Sequence, residues 1–383
     1  MAENLSDHNS GSKSPLADHI SRDRSSGPSA LSSARKRERA RFRILLLVLG
    51  GVLLLSIRLG VSLGPVPIPA SDVWSIAAYK VGLLPKGSWS PARENIVWFI
   101  RFPRVLLSLV VGGGLAVVGV TLQALVRNPL ADSYILGVSS GASVGAVLAI
   151  GFGVFAFAGP LSVSLAAFLG ATVTFAIVFT LASVGGRITP SRLVLAGIGV
   201  GYIFTGMTSF ITLTSRNHQL AGQILSWTLG SMARASWYDL VVPAPVLLAT
   251  TAYLVLQARS LNALAVGEET AATLGIDVDN FRRALFTLVA IMTGVMVAVS
   301  GIIGFIGLMV PHMVRTVVHS EHRRVLVTSV LVGSIFLIWV DVIARTAFAP
   351  IELPVGVVTS LLGGPFFLWL MWRAQHSRSE TTL

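Results

Sequence analysis

The chain has 383 residues, of which 53% are hydrophobic and only 12% charged, with a formal net charge of +12 and a mean hydropathy of +0.76. A water-soluble domain carries about 25% charged residues, so most of this chain faces something other than water. The basic residues sit at the ends of apolar runs and in one tail, a layout that argues against nucleic acid. The absence of cysteine excludes disulfides, thiol catalysis and thiolate metal sites.

Residues 1–43 are rich in Ser, Asp, Gly and charge, and bury too little apolar surface to offset the entropy of ordering. They are expected to form a disordered basic cytoplasmic tail. Its last part, Arg35 to Arg43, abuts the apolar run Ile44–Val61, as in a signal peptide. That run is long and no small-x-small cleavage site follows, so it reads as a retained first span. The basic flank is held in the cytoplasm by the positive-inside rule.

A membrane-crossing helix needs about 20 mostly apolar residues. Candidate spans fall near 44–62, 103–125, 135–158, 160–182, 192–213, 238–257, 281–300, 302–318, 325–347 and 355–373. The expected fold is therefore an all-α polytopic membrane protein, about ten transmembrane helices in a compact bundle. An even number of spans puts both termini on one side, the cytoplasm, with a permease domain over 44–374 and a cytoplasmic C-terminal tail over 375–383. Most Lys and Arg fall on that side, chiefly because of the N-terminal tail.

Many of the 37 glycines lie inside apolar runs, including Gly112–Gly114, Gly137, Gly141 and Gly145. Small residues let helix backbones approach where no hydrophobic force acts between helices. Arg101 and Arg104 flank Pro103 at the second span, and Asp341 and Arg345, four apart, share a helix face. Arg127-Asn128-Pro129 ends the second span. The cytoplasmic stretch 259–280 reads as two short helices broken at Gly267 and Gly275, and Asp279 as the N-cap of the span that follows. Such a patterned loop suits docking of a soluble partner.

No His/Asp/Glu cluster has metal-ligand spacing, and His312 has no partner one turn on. No phosphate-binding Gly-rich loop with Lys-Ser/Thr is present, nor any Ser/His/Asp or paired-carboxylate arrangement. The chain is thus expected to bind no metal or cofactor and to hydrolyse no ATP itself.

Several blocks recur in a fixed order. They are Arg101-Phe-Pro-Arg104, Arg127-Asn128-Pro129-Leu130-Ala131, Leu136-Gly137-Val138-Ser139, Leu195-Ala196-Gly197 and Trp227-Thr228-Leu229-Gly230-Ser231. Gly267-Glu268-Glu269 with Ala272 and Leu274-Gly275, Gly304-Phe305-Ile306-Gly307-Leu308 with Pro311-His312 and Arg315, and Glu352-Leu353-Pro354-Val355-Gly356 complete the set. From about residue 44 to 374 the chain resembles the iron-siderophore and vitamin B12 (FecCD-type) family of ABC-importer permeases. It departs at Ser133, where that family usually has Pro, and at Thr189-Pro190.

The resemblance implies a ten-helix subunit working as a dimer, with a second copy or a paralogue. It also implies a cytoplasmic ABC ATPase dimer that uses ATP and an extracytoplasmic solute-binding protein. By the same resemblance, Arg101, Arg104 and Arg345 dock the binding protein. Gly267, Glu268, Glu269, Ala272, Leu274 and Gly275 form the coupling loop that seats in the ATPase. Asn128, Leu130, Thr189 and Ser191 narrow the cytoplasmic end of the path. The implied cargo is a ferric siderophore, with cobalamin or haem as alternatives. A secondary transporter driven by an ion gradient would need intramembrane carboxylates, for which Asp341 is the one good candidate. A non-transporting membrane scaffold fits poorly with Gly-rich, Pro-broken spans.

Overall fold

The computed structural model describes residues 28–132, 136–183, 189–214 and 218–379. Ser133 lies outside them. The chain divides into an N-terminal unit, Met1–Val48, and a body, Leu49–Leu383. The described residues of the body form helices joined by turns and loops.

Helix α1 (Pro28–Ser62) starts well inside the stretch expected to be unstructured, which corrects that boundary. Proline suits a first helical position, and the Ala, Arg, Lys and Glu that follow are good helix formers, so the apolar span extends backwards through its basic flank. After it come α2 (Ala70–Lys80) and α3 (Pro91–Asn95), whose Ser90 side chain accepts from the Arg93 N–H. A π turn, Ile96–Arg101, leads into α4 (Phe102–Val126). Then follow α5 (Val138–Phe152), α6 (Ser162–Ala182), α7 (Pro190–Thr214), α8 (His218–Thr228) and α9 (Pro243–Leu256). The remainder are α10 (Ala258–Val266), α11 (Glu268–Thr273), α12 (Val278–Ser300), α13 (Ile306–Val318), α14 (His322–Thr346) and α15 (Val355–Ser379).

Eight of these helical stretches are long and apolar enough to cross a membrane, and α5 and α13 are shorter apolar helices. All ten expected spans therefore appear as helices, two of them truncated. The reason is glycine. Left-handed Gly137 precedes α5 and left-handed Gly153 ends it, while Gly301–Gly304 separates α12 from α13.

Helix α4 is the core, with a continuous run from Val105 to Leu125 in which nearly every residue is buried. Its glycines allow backbone contact on more than one face. A Cβ on Gly119 would lie 1.9 Å from the Gly307 oxygen of α13, and one on Gly112 would lie 2.3 Å from the Gly333 oxygen of α14. The pair α5 and α6 interlocks in the same way, Gly145 against Ala166 and Gly170 against Gly141.

Candidate functional site

At the end of the bundle where α4 begins, four ionised side chains converge from two helices and one loop. Arg104 Nε donates to both oxygens of Asp341 on α14, at 2.9 and 3.1 Å. Its Nη1 donates to Glu352, in the turn before α15, at 2.9 Å. Arg345, one turn after Asp341, lies 3.5 Å from the same carboxylate, and its Nη2 donates to the Gly60 carbonyl at 2.6 Å. The shared face of Asp341 and Arg345 is as expected, but the closest cation to Asp341 is Arg104, far away in sequence. Arg101 serves a different purpose. It donates to the carbonyls of Val61 and Ser62 at the end of α1, at 3.2 and 2.8 Å, and to that of Val66. A helix C-terminus leaves such carbonyls without partners, and a cation satisfies them.

Arg101, Arg104 and Arg345, expected to dock a binding protein, are all buried within the chain. Their relative exposures are 3%, 4% and 2%. Each guanidinium is committed to partners inside the chain. Other cations at this end are also paired internally: Lys80 with Glu94 at 2.6 Å and Arg93 with Asp72 at 2.7 Å. Positive charge is retained here because the fold neutralises much of it. Glu352, about a third exposed, is the member of the network that reaches the surface.

At the other end of α4, Arg127 adopts a left-handed conformation, φ 54°, and terminates the helix. Asn128 Oδ1 accepts from the Leu130 N–H at 2.9 Å, so the Asn-Pro-Leu turn is held by its own side chain. Asn128 is exposed and Leu130 half-buried. Thr189 and Ser191, both exposed, sit just before and at the start of α7, next to the undescribed residues 184–188. The described contacts do not join them to Asn128 or Leu130.

The stretch 259–280 forms the two short helices expected, α10 and α11, broken at Gly267 and ended at left-handed Gly275 (φ +79°). The N-cap of α12 is Asp277, whose side chain accepts from Asn280 N–H at 3.1 Å, and not Asp279, which lies in the first turn. Ala271 anchors α11 in the body, while Glu269, Ala272 and Leu274 face outward. Glu268 was expected to face a partner. Its side chain keeps 42% exposure while its Oε1 bridges Arg127 at 3.1 Å and the buried Arg282 of α12 at 2.8 Å. The exposed helix α11 is thereby wired to the ends of α4 and α12. Asn262 of α10 similarly accepts from the backbone N–H of His322 at 3.0 Å, at the start of α14.

Between these ends the chain is unwound over Gly301–Gly304. Ser231 N–H donates to the Ser300 carbonyl at 2.8 Å, and Gly356 N–H to that of Leu229 at 3.0 Å. Phe305, left-handed at φ 68°, donates its N–H to Asp132 at 3.2 Å. Gln123 of α4 donates to the Gly307 carbonyl at 3.1 Å and accepts from Arg315. Non-helical backbone at membrane depth is tolerated where protein or a water-filled cavity satisfies it, and here protein groups supply many of the partners. Glu352, Arg282, Gln123 and Asp132 were not assigned roles from sequence. Glu352 stood in one of the blocks that carry the family resemblance, and the others were marked by a polar side chain within or beside an apolar run. Among the described residues no group of three or more His, Asp or Glu could hold a metal.

The model of the FecCD transport family matches residues 52–373. The chain is 42% identical over 297 residues to the hemin transport system permease protein HmuU of Yersinia pestis, covering 76% of this chain and 88% of that one. It is 39% identical over 309 residues to the cobalamin import system permease protein BtuC of Halobacterium salinarum, covering 80% of each. To the Fe(3+)-citrate import system permease protein YfmD of Bacillus subtilis it is 35% identical over 345 residues, covering 90% and 98%. Among solved structures, a metal-chelate type ABC transporter in an inward-facing conformation aligns with a TM-score of 0.74 at 28% identity, covering 86% of this chain and 99% of that one. Ten apolar helices around a glycine-lined core, an unwound segment inside the bundle and a match over most of the length agree: the chain belongs to the FecCD transport family, as a multi-pass permease of the cell membrane.

Proposed function

We propose that this chain is the translocating subunit of an ABC importer for a ferric siderophore, working by alternating access and powered by separate ATPase subunits. A second copy or a paralogue completes the permease, and an extracytoplasmic binding protein delivers the cargo. The observation that carries the coupling is the Glu268 bridge. Helix α11 presents Glu269, Ala272 and Leu274 outward while Glu268 holds Arg127 and Arg282, so a push on α11 reaches α4 and α12. The path is formed near the unwound Gly301–Phe305 segment, where helix backbone is broken inside the bundle. Asn128, Leu130, Thr189 and Ser191 narrow its cytoplasmic end. The metal crosses inside its chelator. A second reading, haem as cargo, is favoured by the 42% identity to a hemin permease.

Glu352 is the reachable point for a binding protein, because it is about a third exposed while the arginines behind it are buried. The test is uptake of labelled ferric siderophores, haem and cobalamin in cells lacking the gene, complemented by wild type or by Glu268→Lys. Loss of one chelate, restored by wild type and not by the variant, supports the reading and identifies the cargo. Restoration by Glu268→Lys removes the coupling role. Uptake of haem alone replaces the siderophore.

A further inference from the structure

Two adjoining hollows lie at the end of the bundle that carries Glu352. One, of about 390 Å³, is polar: Arg234, Ser226, Ser231, Ser236 and Glu352 contribute to its wall. The other, of about 380 Å³, is almost wholly apolar, with Leu165, Phe168, Val242 and Val295 along it. They share Leu161, Ser164, Tyr238, Asp239, Ala298 and Val299, so they lie side by side, a more polar half next to an apolar half.

Its depth is set by the helices. The polar half is lined by residues at the ends of α6, α8 and α12 and by the turns beside α9 and α15. The apolar half runs inward to Phe168, six residues into α6, or about 9 Å at 1.5 Å per residue. Aromatic residues mark the same level. Trp237 packs on Trp98 with ring centres 4.9 Å apart and donates to the Trp98 carbonyl at 2.9 Å, and Tyr238 is exposed. Trp and Tyr concentrate where hydrocarbon meets headgroups. Val241, Val242 and Leu161, at the rim, are also exposed, so the apolar half opens sideways towards acyl chains.

The charges select the ligand. Asp239 turns one oxygen, Oδ2, to the Ser236 backbone N–H and hydroxyl, at 2.9 and 2.8 Å, and Glu352 pairs with Arg104. Arg234 is exposed into the polar half and forms no ion pair among the described residues. A guanidinium above a hydrocarbon slot matches a phosphate ester bearing an acyl chain. We infer that this space is a seat for one anionic phospholipid, its phosphate on Arg234 and one acyl chain between α6, α9 and α12. The polar half abuts Ser300 and Gly301, at the start of the unwound segment, and the inference does not depend on which chelate is carried.

The test uses the purified full chain in detergent, loaded with phosphatidylglycerol or phosphatidylcholine of identical acyl chains, and counts retained lipid by native mass spectrometry. Wild type is expected to retain one phosphatidylglycerol in preference to phosphatidylcholine. Arg234→Gln should lower that preference about fivefold, and Arg234→Lys should keep most of it. Val242→Trp, at the exposed rim, should reduce retention of both lipids. Equal retention of the two lipids by wild type, or unchanged preference in Arg234→Gln, would overturn the proposal. Displacement of the lipid by soluble glycerol phosphate would overturn it too, since the seat would then serve a small anion.

Discussion

Arg104 and Asp341 illustrate how costly a charge becomes once it is enclosed. Asp341 is fully buried, and Arg104 contacts both its oxygens while reaching Glu352 with the other side of its fork. Removing one partner strands the other in a low-dielectric interior, a loss of about 3–5 kcal/mol. Arg104→Ala should therefore lower the melting temperature in detergent and the yield of inserted protein. Arg104→Lys should recover little of this, because an ammonium cannot span two carboxylates in a fixed plane. Arg101→Glu combined with Arg104→Glu is expected to fail at folding before any docking is measured, and normal yield of that double variant would show the network to be dispensable. The i,i+4 pair Asp341/Arg345 was legible from spacing alone. The Arg104–Asp341 contact was not, because local pattern carries no information about residues that meet only after the bundle closes.

At the scale of a helix, glycine decides which neighbours can touch. Gly119 faces the Gly307 carbonyl so closely that a Cβ would lie 1.9 Å away, whereas Gly151, near the end of α5, meets open space. Gly119→Ala should destabilise the bundle by about 1–3 kcal/mol through overpacking. Gly151→Ala should leave stability unchanged or raise it slightly by restricting the unfolded chain. Thermal melts of the two variants check the contrast, and equal melting would mean that α4 and α13 do not pack this closely. Span positions were readable because twenty-residue apolar runs are a strong signal. The truncation of α5 and α13 was not, since a glycine inside a hydropathic run can pack, cap or unwind. The π turn at Ile96–Arg101 has no sequence mark at all. The extension of α1 back to Pro28 was missed because composition weighed against order where helix propensity favoured it.

For the whole molecule, the Glu268 bridge ties helix α11 to α4 and α12, the link on which the proposed coupling rests. Glu268→Lys sets a third cation beside Arg127 and Arg282, and such crowding costs several kcal/mol. Uptake in complemented cells is expected to fall tenfold or more. Pairing it with Arg127→Glu should restore part of that uptake, since one attraction is rebuilt. An unchanged deficit in the double variant would place the effect of Glu268 at the partner surface instead of inside the chain. The two coupling helices were visible in sequence through Gly267 and Gly275. The bridge from Glu268 to Arg127 and Arg282 was hidden, because residues distant in sequence meet only once the bundle has formed.

Helix α4 carries an ion pair at each extremity, Arg104 with Asp341 at its start and Arg127 with Glu268 just past its end. Its 25 residues span about 37 Å. A close-packed rod of this kind cannot slide or tilt at one end alone. Under the proposed coupling, displacement of the Glu268 side would be transmitted along α4 to the Asp341 and Glu352 cluster on the far face. The same column that holds the bundle together would then serve as a push-rod between the two surfaces of the membrane.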